Sequence, residues 1–267
     1  MSESPLIYQD EKLEQVNGNI RLISKKNGLT FGTDAYLLAA YIQTVPRAHA
    51  IDLGSGTGII PMLLAAHKKI NTAVAVEVQE EFAELIERNT KLNNLSDKIR
   101  PLCTDLRELP NQALPAECAD LVFSNPPYMK ADSGKPNQHT AKFIARHEVC
   151  GSINDFCRAA GDLVKYGGKF YCVYRPDRLS DLFAALRQHR LEPKRMTPVA
   201  ANVMSAPSIV LVEAKKGSSP SLIMTRTLFL YENDGRTMSA DAARIYETCS
   251  FEDFYRQEGI IRPHPRA

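Results

Sequence analysis

The segment Ile51 to Gly58, IDLGSGTG, constrains this chain more than any other: an apolar run, glycines at alternate positions, then a second apolar run from Ile59 to Ala66. Glycines so spaced let a backbone turn tightly and approach a ligand where a Cβ would collide. In open α/β sheets such a turn links a strand to the helix that follows it. The chain around it alternates accordingly. Ala50 to Leu53, Thr72 to Val76, Ile99 to Cys103, Asp120 to Ser124, Lys169 to Tyr174 and Ile209 to Ala214 read as short apolar strands. Between them, Ile59 to Lys69, Glu80 to Asn93, Ile153 to Tyr166 (closed by Gly167-Gly168) and Asp181 to His189 read as helices. In the second of these, Phe82, Leu85, Ile86 and Leu92 share one face. Apolar strands alternating with amphipathic helices predict βαβ units and a mostly parallel sheet covered on both faces.

Upstream, Leu13 to Val16, Asn17-Gly18 and Asn19 to Ile23 read as a hairpin, since Asn-Gly suits a type I′ turn. Thr33 or Asp34 can then cap a helix through Ala35 to Ile42. The expected division is a hairpin and helix cap over 1–45, the α/β domain over 46–217, and a segment over 218–267 whose role no motif assigns.

Composition narrows the class. With 44% apolar and 24% charged residues in a 267-residue chain, neither a disordered nor a collagen-like polymer fits. A net charge of +2 excludes a highly basic, histone-like binder while leaving room for a local basic patch. No apolar run approaches the ~20 residues that span a bilayer. The opening MSESPLIYQDEKLEQ lacks the basic-then-apolar order of a secretory signal, so no membrane association and a cytoplasmic location are expected. The six cysteines form no CxxC pair, which predicts reduced thiols. No His/Cys/Asp spacing matches a metal cage, so no metal is expected.

The pattern Asp52-x-Gly54-x-Gly56-x-Gly58 differs from a dinucleotide fingerprint, which needs glycine where Ile59 stands. An acid ahead of the turn suits a cationic ligand or one offering amino and hydroxyl donors. Glu77 ends the next strand, where a carboxylate can accept from both hydroxyls of a ribose. Asp105, after the third strand, can accept from an adenine amino group. Together these residues resemble the S-adenosylmethionine-dependent methyltransferases of the Rossmann-like class.

At the end of the fourth strand stands Ser124-Asn125-Pro126-Pro127-Tyr128. The proline pair keeps the backbone extended and supplies carbonyls without N–H donors. The Asn125 side-chain oxygen and the Pro126 carbonyl can then accept from one exocyclic amine, with Tyr128 stacked on the ring that carries it. Two acceptors favour a pyramidal nitrogen and stabilise the positive charge that develops there. The glycine motif and NPPY together resemble the methyltransferases that act on adenine N6, guanine N2 or a glutamine amide.

The segment Phe31 to Tyr41, FGTDAYLLAAY, and Ala145-Arg146-His147-Glu148 resemble the bacterial tRNA adenine-N6 methyltransferases that modify valine tRNA beside the anticodon. The separate helical domain of the release-factor glutamine methyltransferases is expected to have no counterpart. This resemblance implies a doubly wound, mostly parallel, seven-stranded Rossmann-like sheet with a short N-terminal cap, S-adenosyl-L-methionine as cofactor, and tRNA as partner. It assigns Thr33, Asp34, Asp52, Gly54, Gly56, Gly58, Glu77, Asp105 and Asn125 to the cofactor, and Asn125, Pro126, Pro127 and Tyr128 to catalysis. Lys130, Lys142, Arg146 and His147 are expected to meet RNA. Lys135 and Arg158 are expected to flank the same loop, and Lys194, Arg195, Lys215 and Lys216 to add further positive surface charge, since phosphate neutralisation drives such binding. Guanine N2 of rRNA, a protein glutamine, and cofactor binding without catalysis are the alternatives.

Overall fold

The computed structural model describes residues 7–16, 18, 20–26, 32–127 and 151–256. Its strands are β1 (Glu11–Gln15), β2 (Arg21–Lys25), β3 (His49–Leu53), β4 (Thr72–Glu77), β5 (Ile99–Cys103), β6 (Ala119–Ser124), β7 (Val164–Tyr174), β8 (Leu191–Ala200), β9 (Ile209–Lys216), β10 (Ile223–Met224) and β11 (Leu228–Phe229). Its helices are α1 (Thr33–Tyr41), α2 (Ile59–Ala66), α3 (Glu80–Leu92), α4 (Ile153–Leu163), α5 (Leu179–Gln188), α6 (Ala240–Thr248) and α7 (Glu252–Arg256).

Alternation along the strands separates two cores. In β7, Phe170, Cys172 and Tyr174 join the cluster under α4 and α5, while Tyr171 and Val173 join the one under α1, α2, α6 and α7. Both faces are covered, which is why the strands read as unbroken apolar runs. The sheet order is β10-β8-β9-β7-β6-β3-β4-β5, with β11 also on β8, and β9 runs antiparallel to both its neighbours. Seven long strands thus form the expected doubly wound sheet. The strands β10 and β11, two residues each, extend it along the outer edge of β8.

Several boundaries differ from the sequence expectation, each for a physical reason. α4 stops at Leu163 because Val164 pairs with Ala119 of β6 and opens β7, and its carbonyl accepts from the buried Lys216 ammonium at 2.9 Å. β8 carries no strand signal in the sequence because Glu192, Pro193, Lys194, Arg195 and Pro198 mask its pattern, and prolines demote a strand. The hairpin closes on a bond from Val16 N–H to the Ile20 carbonyl, while Asn17 and Asn19 of the expected hairpin lie outside the described residues. The C-terminal helices pack on α1, where the Tyr36 and Tyr246 rings stack at 4.8 Å and Tyr41 meets Phe251 edge-on at 5.6 Å.

The hairpin docks on α3 by an unusual device. Asn89, fully buried, accepts from Ile23 N–H at 2.7 Å and donates to the Ile23 carbonyl at 3.0 Å. Asn93, one turn on, does the same for Arg21 at 2.9 and 2.7 Å. Four residues of helix rise ~6 Å and two residues of strand ~6.8 Å, so amides at i and i+4 stand in for a neighbouring strand. Asn89 Nδ2 also donates to the Thr57 carbonyl at 3.1 Å, joining hairpin and glycine turn.

Asn89→Ala leaves buried backbone groups unpaired and is expected to cost about 3 kcal/mol, lowering the melting temperature by about 6–10 °C. Asn93→Ala, on the more exposed rung, is expected to cost about 1 kcal/mol or less. Thermal melts of both variants check this; equal losses would contradict the buried rung's greater weight.

Candidate active site

Parallel register brings the sequence-predicted residues to one edge. Asp52 lies opposite Ala75 in β4 and Phe123 in β6, Leu53 opposite Val76, and Glu77 opposite Cys103 in β5. The carboxyl ends of β6, β3, β4 and β5 therefore stop side by side. The order of connection reverses between β3 and β6, the place where open α/β sheets bind ligands. Ser124, buried at the end of β6, donates its hydroxyl to the Leu53 carbonyl at 2.7 Å. That bond sets the Asn125 loop beside the glycine turn.

Gly54, Gly56 and Gly58 have φ of +72°, +58° and +78°. At Gly58 a Cβ would press on Ile86 at 3.1 Å, in a conformation L side chains rarely adopt. At Gly56 a Cβ would meet nothing within 4 Å: the turn faces open space there. The Gly54 and Ser55 amides both donate to the Val76 carbonyl, at 3.0 and 2.9 Å, and anchor the turn to β4.

Asp52 is fully buried; its Oδ2 accepts from the Ser55 hydroxyl at 2.6 Å, while Oδ1 has no hydrogen-bond partner among the described residues. Burial pushes its pKa up to about 7, with the neighbouring Glu77 charge adding to the effect. Glu77, 5% exposed, accepts from the Gly56 amide at 2.9 Å and the Gln79 amide at 3.0 Å. Each oxygen so engaged retains a lone pair, enough for a diol. A buried acceptor without a partner, a second carboxylate and open space over Gly56 fit a ligand carrying an ammonium group and a ribose. Asp105 takes another position. It caps a short 3-10 turn through Arg107 N–H and lies against the Arg107 guanidinium, which holds its carboxyl below the usual carboxylate range.

Asn125 and Pro127 are half-buried and Pro126 is buried. Asn125 Nδ2 donates to Asp34 Oδ2 at 3.1 Å, bringing the first turn of α1 to the Asn125 loop. Thr33 lies at the start of the same helix and is exposed. Tyr128, Lys130, Lys135, Lys142, Arg146 and His147 lie outside the described residues. Three expected surface charges are otherwise engaged. Arg195 is buried against Glu213, and Lys216 is buried against Glu117 and the Val164 carbonyl. Arg158 donates to the carbonyls of Leu109, Leu106 and Arg107. Each ties segments together, Arg158 through three carbonyls, Lys216 through a carbonyl and a carboxylate, and Arg195 through a carboxylate. Sequence reasoning missed Asn89, whose signal is a polar residue on the apolar face between Leu85, Ile86 and Leu92.

The model of the methyltransferase small domain matches residues 24–181. A tRNA1(Val) (adenine(37)-N6)-methyltransferase of Porphyromonas gingivalis is 28% identical over 187 residues, covering 68% of this chain and 72% of the relative. A protein of the same name from Parabacteroides distasonis is 27% identical over 191 residues, covering 70% and 77%. Among solved structures, a predicted O-methyltransferase of Agrobacterium tumefaciens shares the fold, with a TM-score of 0.67 at 24% identity over 82% of this chain and 97% of that one. The matched span runs from the second hairpin strand, through the glycine turn and the Asn125 loop, into α5, and on that breadth the chain belongs to the methyltransferase small domain family.

Proposed function

We propose that this methyltransferase transfers a methyl group from S-adenosyl-L-methionine to the N6 amine of an adenine in a tRNA anticodon loop, position 37 of a valine tRNA. The observation that carries the reading is Asn125, held at the end of β6 one strand from the glycine turn. The relatives named for adenine-37 of tRNA1(Val) support the choice of substrate over guanine or glutamine.

The chain's residues divide the work. Asp52, whose Oδ1 has no partner among the described residues, would receive the ammonium of the cofactor's amino-acid end, Glu77 would take the ribose hydroxyls, and the Gly54–Gly58 turn leaves room for the ligand. Asp105, which the Arg107 guanidinium engages, would face the adenine amine of the cofactor, and Thr33 would belong to the same surface. The bound cofactor supplies an electrophilic methyl on a sulfonium. Asn125 Oδ1 and the Pro126 carbonyl accept from the substrate NH₂, drawing the nitrogen lone pair out of conjugation and stabilising its developing charge. The proton leaves after transfer, so alignment rather than a strong base supplies the rate. Pro127 stiffens the loop, and Tyr128 stacks on a base turned out of the RNA, the usual mode of reading a loop nucleotide. Lys130, Lys142, Arg146 and His147 neutralise phosphates, making affinity fall with salt.

Incubation with labelled cofactor and tRNA from cells lacking this protein, followed by nucleoside mass spectrometry, tests the reading. N6-methyladenosine in valine tRNA is expected; transfer to a protein or to no RNA overturns it. Asn125→Ala is expected to lower kcat by about 10²–10³-fold while cofactor Kd moves less than about twofold. Glu77→Ala is expected to do the reverse, weakening cofactor binding by about 100-fold through the lost charged acceptor, as calorimetry checks.

Cofactor affinity is expected to depend on pH through Asp52. Folded Asp52 keeps a proton up to about pH 7 that the unfolded chain loses near its ordinary value of 3.8, so this group lowers the free protein's stability as pH rises across that window. An ammonium ligand needs the carboxylate, so affinity is expected to rise with pH and level off above about 7. Asp52→Asn flattens that rise in a titration of Kd against pH. A slope unchanged in the variant would assign it to another group.

A further inference from the structure

Resting on the function proposed above, we infer that Asp34 acts through Asn125 as a positioning residue: it holds the NH₂ side of the amide so that the oxygen side is presented to the substrate amine. An asparagine amide is nearly symmetric in shape and opposite in polarity at its two ends. Turned the wrong way, Asn125 would aim N–H donors at an amine that also donates, and the acceptor that catalysis needs would be lost. Something must break the symmetry. An ionised carboxylate does so without ambiguity, since it only accepts.

The geometry of Asp34 suits that task. Its Oδ2 receives Asn125 Nδ2 at 3.1 Å, while its Oδ1 receives the Ala35 amide at 2.9 Å in the first turn of α1. Both oxygens are thereby tied, one to the helix and one to the catalytic loop. Gly32 makes the arrangement possible, because a Cβ there would stand 2.3 Å from Asp34 Oδ1. The helix behind it has little freedom: Ala35 to Tyr41 are all buried, and the Tyr36 hydroxyl donates to the Tyr246 carbonyl at 2.8 Å. A negative charge on the NH₂ side also polarises the amide and makes its oxygen a stronger acceptor. The resemblance assigned Asp34 to the cofactor; the contact observed is to the substrate-side asparagine.

The test uses the full chain, unmodified tRNA and labelled cofactor, with Asp34→Ala, Asp34→Asn, Asn125→Ala and the Asp34→Ala/Asn125→Ala pair. Asp34→Ala is expected to lower kcat by about 10–100-fold with cofactor Kd within about twofold. Asp34→Asn keeps an acceptor for Nδ2 and is expected to recover most of that loss. In the Asn125→Ala background, Asp34→Ala is expected to change kcat by less than about twofold, since its effect passes through the missing amide. Losses that multiply in the double variant, or a cofactor Kd raised by more than about tenfold with kcat kept, overturn the positioning role. Should Asp34→Ala fail to fold, Asp34→Leu, of similar shape but with no acceptor, and its double with Asn125→Ala decide in the same terms. Full activity in Asn125→Ala instead overturns the proposed chemistry itself, a result distinct from the others.

Discussion

Parallel pairing holds β3 between β4 and β6, and where those three strands stop decides the chemistry. Because Leu53 stands opposite Val76, the turn after β3 can hang its Gly54 and Ser55 amides on the Val76 carbonyl. Because Phe123 stands opposite Asp52, the chain leaves β6 one residue beyond the Ser124–Leu53 bond, and Asn125 is the residue at that point. A slip of one position in β6 would turn Leu121 and Phe123 to the wrong core and put Ser124 or Pro126 where the amide stands. The register is protected by the very burial it produces, since both faces of the strand are covered.

Polar groups inside the molecule serve as connectors between segments distant in sequence. Lys69 is the plainest case: its buried ammonium donates to the carbonyls of Ala39 and Ala40 in α1 and of Cys249 after α6, at 2.8, 2.9 and 3.0 Å. Helix C-termini leave carbonyls unpaired and carry partial negative charge, so one cation there answers two ends. The burial that makes these bonds strong also pushes its pKa down to about 8. Arg195 plays a similar part, paired with Glu213 and lying over the rings of Tyr41 and Tyr255, which fastens α1 and α7 to β8. Asn89 links the hairpin to the glycine turn on the same principle.

What was legible in the sequence is what is local. Apolar strands before β8 and amphipathic helices announce themselves within a dozen residues, and the glycine turn, Glu77 and NPPY are contiguous or nearly so. The rest depends on partners a linear reading cannot pair. β8 looks like a charged, proline-bearing loop until β9 supplies its ladder, and β10 and β11 are strands only because β8 offers an edge. Asn125 was legible as an acceptor, but its partner lies 91 residues away in a helix read as part of the cofactor surface. Arg195 and Lys216 looked like surface charge because nothing in their neighbourhood reveals that they are buried.

The C-terminal helices support α1, the helix whose first turn carries Asp34. α1 is short, carries no basic residue in its last turn and buries nearly every side chain, so it cannot stand by its own propensity. It packs between α2, which leaves the glycine turn, and α6, which stacks Tyr246 on Tyr36 from 210 residues away. Its first turn bears Asp34 and through it touches Asn125. The Tyr36–Tyr246 stack and the Asp34–Asn125 bond are thus both made by the one helix. The helix at one end of the sheet edge and the amide at the other are parts of one packed unit.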